Sequence, residues 1–254
     1  ILFDRDSSDN ETMSRERAAE ILAEILPGFD KLALLSTHST SSFIYNTDGE
    51  ELAGEGNHHT YVVAVDGSDS KRFSKALDGR LWLKGYGRPF VCENGKYEDR
   101  TVFDSKVFSP ERFIFEAGAD LGRGLVQRRP APYYREGAMF DTRLLQDLPD
   151  SLRARVDELK AAARKSAEPE IERKRAAYDI KHKRKLMARG MSEADAERVI
   201  AARHGERLDD DDLIYLDRFD EPIRAGDLKK RADLDLSSCA DPAEPDYSGS
   251  EGSI

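Results

Sequence analysis

Ile1-Leu2-Phe3-Asp4-Arg5-Asp6, Asn57-His58-His59-Thr60-Tyr61-Val62-Val63 and Thr101-Val102-Phe103-Asp104 are three apolar runs edged by residues that can carry chemistry. Each is short and bounded by polar residues, which reads as strand. Side chains alternate along a strand, so Asp4 and Asp6 project from one face, and a facing strand can bring Asp104 beside them. Clustered like charges need cations. Two divalent ions about 4 Å apart, held by shared carboxylates, activate an attacking hydroxyl and stabilise a leaving oxygen, and hard oxygen donors favour Mg²⁺ or Mn²⁺. A plainer reading stays open, because aspartates at strand ends also begin turns and Ser7-Ser8-Asp9-Asn10 is turn-like.

The intervening segments predict an α/β core. Ser14 can cap a helix whose Ala18, Ile21, Leu22 and Ile25 form one apolar face, stopped by Pro27-Gly28. Lys31 to Leu35 reads as a buried strand, Ser42 to Tyr45 with the segment after Asp48-Gly49 as a hairpin, and His59 to Val65 as the clearest strand. Phe73, Ala76, Leu77 and Leu81 mark a second helix ending near Gly85, with Trp82 in the core. Arg88 to Cys92 and the run to Phe103 form a hairpin about Asn94-Gly95, leaving Asp104 at its far end, and Phe113 to Phe115 adds a strand. Beyond Pro130 the character changes: Leu152, Val156 and Leu159 begin a helical region, and Ser192-Glu193-Ala194-Asp195 starts another helix carrying Val199 and Ile200. The expected division is 1–145 as the catalytic-type domain, 146–208 as a helical accessory region and 209–254 as an acidic segment and flexible tail.

In their order and spacing the motifs resemble the archaeo-eukaryotic primase superfamily, the primase-polymerases of plasmids, phages and integrated elements. That family has an apolar strand ending in Asp-x-Asp, which Phe3-Asp4-Arg5-Asp6 matches. It has a small residue, any residue and His leading into a strand, which Asn57-His58-His59 before Thr60-Tyr61-Val62-Val63 matches. Its third motif, an apolar residue then Asp, is Phe103-Asp104, and Ser105-Lys106-Val107-Phe108-Ser109-Pro110-Glu111-Arg112 is similar to the mobile-element branch. The resemblance covers about residues 1–130. It implies an α/β (α+β) fold with a mixed or antiparallel RRM-like catalytic core followed by a smaller helical region. It also implies Mg²⁺ or Mn²⁺ in a two-metal site on Asp4, Asp6 and Asp104, with His59 on the phosphates of an incoming nucleoside triphosphate. The implied partner is a single-stranded DNA template, in the cytoplasm of a bacterial or phage-infected cell. Asn57 stands where the family has Ser or Gly, and His58 is an additional histidine, so choosing His59 rests on the alignment of the following strand. Family members carry a segment before the first motif, so the chain reads as a fragment. Asp241-Pro242-Ala243-Glu244-Pro245-Asp246-Tyr247 resembles the linker before a helicase-type segment in related proteins. The phosphate-binding pattern Gly-x-x-x-x-Gly-Lys-Ser/Thr does not occur, so no ATPase is assigned.

Around this centre, Ser39-Thr40-Ser41-Ser42 offers triphosphate contacts through Ser41 and Ser42, with a Ser-rich turn as the plainer alternative. Lys106 and Arg112 lie close to Asp104 in sequence and can neutralise phosphate charge, or simply form surface ion pairs. The net charge of −10 opposes nucleic-acid binding, but it is uneven: residues 1–120 carry 14 basic and 22 acidic groups, residues 121–189 carry 18 and 10, and residues 190–254 carry 8 and 18. Phosphate affinity follows the local field, so the basic middle offers Arg123, Arg128, Arg129, Lys181, Lys183, Arg184 and Lys185 as backbone contacts. For Glu168 to Lys185 a solvated helix laced with charge pairs is the alternative. Asp209-Asp210-Asp211-Asp212 reads as a solvated acidic linker, because four adjacent carboxylates cannot converge. Cys92 and Cys239 form no CxxC pair, so no zinc is expected. No apolar stretch approaches the roughly 20 residues of a membrane span, and no signal peptide is visible.

Three rival functions remain at this level. A rolling-circle nickase would use a paired-histidine metal site and a nucleophilic Tyr, which Tyr178-Asp179-Ile180-Lys181 matches superficially, but adjacent His58 and His59 face opposite sides of a strand. A topoisomerase-primase metal domain shares the Asp-x-Asp strand and gives no role to His59 or Asp104. The third is a non-catalytic nucleic-acid-binding replication protein that keeps the fold.

Overall fold

Phe3 is fully buried, and its ring meets those of Phe73, Phe103 and Phe108 edge-on at 6.3, 5.8 and 6.0 Å. This packing seats the first strand, β1 (Leu2–Arg5), with Phe3 turned to the interior and Asp4 turned away. The computed structural model describes residues 1–5, 13–108, 114, 116–203, 210–214 and 222–228. Asp6, Arg112, Asp209 and the 241–247 segment lie outside the described residues, as do Phe113 and Phe115. The fold is mixed α+β with antiparallel sheets.

Helix α1 (Arg15–Ile25) begins where Ser14 accepts the Arg17 backbone N–H, and it buries Ala18, Ile21, Leu22 and Ile25, the face that the periodicity predicts. The next strand starts later than expected. Gly28 takes a left-handed φ of 71°, Phe29–Lys31 closes a short 3-10 turn that buries Phe29, and β2 runs from Leu34 to His38. Then come β3 (Ile44–Asn46), β4 (Glu51–Ala53), β5 (His58–Val62) and α2 (Ser70–Leu83), which buries Phe73, Ala76, Leu77, Leu81 and Trp82. A hairpin of β6 (Gly87–Val91) and β7 (Tyr97–Thr101) follows, and β8 (Leu125–Gln127) and β9 (Tyr133–Arg135) complete the sheets.

The central sheet has the order β1-β5-β2-β9, with β5 antiparallel to both neighbours and β9 antiparallel to β2. Strand β5 stops at Val62, short of the expected Val65, because the chain beyond it bonds to Phe140 instead: the Phe140 N–H donates to Val63 O at 2.8 Å and the Val65 N–H to Phe140 O at 2.9 Å. Gly137 permits that inserted segment, since a Cβ there would sit 2.4 Å from Lys31 O. One sheet face, carrying Phe3, Leu34 and Val62, packs with the apolar faces of α1 and α2 in a single core. The opposite face carries Leu2, Asp4, Leu35, Thr37, His59, Tyr61 and Tyr134, as strand alternation and register require. Leu35 and Tyr134 are exposed there. A second sheet, β4-β3-β8, adjoins in sequence.

The chain forms two compact units, residues 1–90 with 98–166, and residues 91–97 with 167–254. Helix α3 (Asp150–Ala188) has its first part in the former, where Val156 packs with Trp82 and Leu148, and it continues through Pro169. In the second unit Val91 packs with Ala167 and Ile171, and Leu186 packs with Ala196 and Val199 of α4 (Glu193–Arg203) and with Leu213. The expected acidic linker is in part a hairpin mouth: Asp210 to Asp212 lead into β10 (Leu213–Ile214), which pairs with β11 (Ile223–Arg224), and Asp211 bonds Arg224 at 2.6 Å. A four-residue helix, α5 (Ala225–Leu228), follows. No helix among the described residues is long and apolar enough to cross a membrane.

Because the Phe3 ring is fully enclosed, Phe3→Ala should lower unfolding stability by about 3–5 kcal/mol in urea titration. Leu35→Ser on the exposed face should change it by less than about 1 kcal/mol. Equal losses for the two would contradict the assigned sheet faces.

Candidate functional site

In the β1–β5 ladder, Asp4 lies directly opposite His59 and Arg5 opposite His58. Directly opposed residues of an antiparallel pair share a face, so Asp4 meets His59 on the open side while Arg5, His58 and His38 face inward. His59 Nε2 stands 3.4 Å from Asp4 Oδ1, beyond the usual length of a direct N–H···O bond, so the ring adjoins the carboxylate without occupying it fully. Asp104 reaches the same strand from its other side, where its backbone N–H donates to Asp4 O at 2.9 Å. The structure thus brings three of the four motif residues to one strand end. Asp6 would alternate onto Asp4's face if β1 continued, but it lies outside the described residues. Among the described residues no group of three or more His, Cys, Asp or Glu side chains forms a metal-type cluster.

His59 has a second carboxylate partner that the sequence does not advertise. Its Nδ1 lies 2.6 Å from Glu116 Oε1, and the Tyr61 hydroxyl donates to the same oxygen. Burial works against the imidazolium, but Asp4 and Glu116 on its two sides more than offset this and hold its pKa above the ordinary value. Tyr61 is pushed up as well, by burial first and then by the Glu116 carboxylate. Tyr61 lies two residues beyond His59 and so shares its face by alternation, a relation that the sequence could have disclosed. Glu116 lies 57 residues from His59 in a segment without periodicity, and no local pattern marks it.

A lattice of side chains fixes the Glu116 segment. Arg129 donates to His38 O at 2.9 Å and to Ala117 O at 3.1 Å. Gln127 donates to Thr40 O and Ser42 O, each at 2.8 Å, while its own oxygen accepts the Ala119 N–H. Arg129, expected on nucleic acid, is therefore engaged with backbone carbonyls. Ser42 is buried and donates to Asn57 O at 2.9 Å, whereas the more exposed Ser41 hydroxyl meets Ser39 Oγ at 2.9 Å. Phe43 beside them holds a φ of 55°, uncommon for a large side chain, and its ring packs edge-on to His38 at 4.8 Å. Of the other expected basic contacts, Arg123 is exposed and Arg128 lies over the Tyr45 ring at 5.3 Å. The Lys106 side chain lies outside what the structure describes. In the second unit Lys181, Arg184 and Lys185 are exposed, while Lys183 bonds Glu193 at 2.8 Å and Glu197 at 2.7 Å.

Comparison with family models, with curated proteins and with solved structures returned no match.

Beneath the site, His58 is fully buried and both ring nitrogens lack hydrogen-bond partners. Burial, then the neighbouring His38 and Arg5, lower its pKa to about 4. The native state therefore keeps a neutral ring while the unfolded chain takes up a proton below pH 6.5, so stability is full at neutral pH and declines between pH 6.5 and about 4. Integrated to pH 5, the decline from this residue is about 2 kcal/mol. His58→Leu should be less acid-sensitive by roughly that amount in urea titrations at pH 7.5 and 5. His59 titrates in both proteins and drops out of the difference; identical acid sensitivity would place the liability elsewhere.

Proposed function

We propose that the chain is a metal-dependent nucleotidyltransferase of the primase-polymerase kind, from a phage, plasmid or integrated element, adding nucleotides on a single-stranded DNA template. The observation that carries the proposal is the meeting of Asp4 and His59 as opposed residues on an open sheet face, with Asp104 bonded to the Asp4 backbone. The three residues were selected from separate motifs, 45 or more positions apart, by the order in which a primase-type site would need them. The core topology supports the same reading. Strand β1, helix α1 and strand β2 are followed, after β3 and β4, by β5, which lies between β1 and β2, and then by α2, an order compatible with an RRM-like core; β9 is added beside β2, and the Asp104 N–H bonds to β1's remaining edge.

Carboxylate oxygens are the donor chemistry that suits a hard divalent cation. Asp4 is partly solvent-exposed, its side chain at 21%, and the half-buried Asp104 is tied to it through the backbone, so these two aspartates are the residues that would hold the ion. Bound there, Mg²⁺ or Mn²⁺ would supply activation of a 3′-hydroxyl and neutralisation of departing pyrophosphate. His59, whose pKa is raised by the two carboxylates beside it, would offer an N–H donor to a triphosphate oxygen. A nickase reading loses support from the pair of histidines: His58 is sealed in the core, and His59 faces the other side.

The decisive assay is extension of a primed DNA template with Mn²⁺ and nucleotides by the wild type and by Asp4→Ala and Asp104→Ala. Each substitution should reduce product at least about 100-fold with unfolding stability retained. Unchanged activity in both would remove this centre. DNA binding without extension in the wild type would favour a non-catalytic replication protein.

Template contacts are tested separately. Replacing Lys181, Arg184 and Lys185 by Gln should weaken single-stranded DNA binding uniformly across sequences and lower the salt slope by roughly 0.7 for each lost phosphate contact. A constant slope would move template binding to Arg123 and Arg128 in the first unit.

A further inference from the structure

We infer that Glu116 is the positioning residue of His59, fixing the ring so that Nδ1 is engaged by the Glu116 carboxylate and Nε2 is presented beside Asp4. The inference deepens the nucleotidyltransferase reading and rests on it for the identity of what Nε2 meets, an oxygen of a nucleoside triphosphate. An imidazole on a strand can turn about its side-chain bonds and offer either nitrogen. An ionised carboxylate has no proton to donate, so at 2.6 Å Nδ1 must be the donor, and that settles which nitrogen remains for the substrate side. The Tyr61 hydroxyl donates to the same Oε1, and Tyr61 stands on the same strand face two residues along, so the carboxylate is held from two points of one rigid strand.

The backbone that carries Glu116 is held with equal care. Arg129 bridges His38 O, at the end of β2, to Ala117 O, and Gln127 ties Ala119 N–H to the carbonyls of Thr40 and Ser42. These bonds join three separate stretches of chain around one carboxylate. Such a partner behind a functional histidine typically changes affinity or activity by about 10–100-fold when it is removed. Glu116 touches no reacting atom. Its loss is therefore expected in the KM for nucleotide, because a freely turning ring meets the triphosphate less often, while kcat at saturation stays nearer the wild-type value.

The experiment is made on the full chain with ¹⁵N-labelled histidine, first without nucleotide. The chain has five histidines, and the His59 signals are assigned by their loss in His59→Gln. The wild type should show His59 protonated at Nδ1, and Glu116→Ala should lose that signature, with the other histidines and the thermal midpoint little changed. Glu116→Gln, whose amide oxygen can still accept, should restore the Nδ1–H bond and most of the nucleotide KM, which Glu116→Ala should raise about tenfold or more. Should Glu116→Ala fold poorly, Glu116→Gln and Tyr61→Phe carry the comparison. A His59 signature identical in wild type and Glu116→Ala overturns the positioning role. A signature that shifts as expected in a chain that neither binds nor adds nucleotides upholds the positioning and sinks the nucleotidyltransferase reading instead.

Discussion

One ring sets the geometry of this protein. Phe3 can be buried among Phe73, Phe103 and Phe108 only if β1 adopts the register it has, and that register turns the next residue, Asp4, outward against His59. A slip of one residue would send the carboxylate into the apolar core and the ring into water, exchanging a few kcal/mol of favourable burial for an unpaired buried charge. The site therefore inherits its precision from the core behind it. The same alternation separates His58 from His59: two adjacent imidazoles, one with its pKa lowered by complete enclosure, the other with its pKa raised by carboxylates on either side.

The parts that were legible in the sequence are those in which a short-range rule dominates. Ser14 as a cap, the apolar face of α1, the buried face of α2 and the hairpin about Asn94-Gly95 follow from periodicity and turn chemistry over a few residues. Strand ends were less legible. Lys31 to Leu35 has the apolar content of a strand, but burying Phe29 in a 3-10 turn delays β2 to Leu34, and Val63 to Val65 give up β5's register for Phe140, whose position 75 residues downstream no local pattern reveals. At the site the same divide holds. Asp4 and His59 stand out as polar residues at strand ends. Glu116, Gln127 and Arg129 look like any other polar residues of a connecting segment, and their importance comes only from the partners that folding gives them.

Arginine shows how composition can mislead about charge. Counting basic residues marks the middle of the chain as a phosphate-binding region, yet Arg129 spends its guanidinium on carbonyl oxygens and Lys183 on two glutamates, so neither presents its full field to solvent. Structural lattices consume cations. The exposed members of the set, Arg123, Arg128, Lys181, Arg184 and Lys185, are divided between two compact units.

The order of the sheet, β1-β5-β2-β9, also fixes the order in which it can be finished during synthesis. The strands bearing Asp4 and His59 leave the ribosome ahead of Glu116, its fastenings at Gln127 and Arg129, and the strand that covers β2. Until Tyr133 to Arg135 has emerged, β2 presents a free ladder of backbone donors and acceptors, which is a template for pairing with any extended chain nearby. A nascent or clipped polypeptide ending ahead of residue 133 would thus possess both motif strands and still carry an adhesive edge, so for this fold completeness of the chain is itself a protection against aggregation.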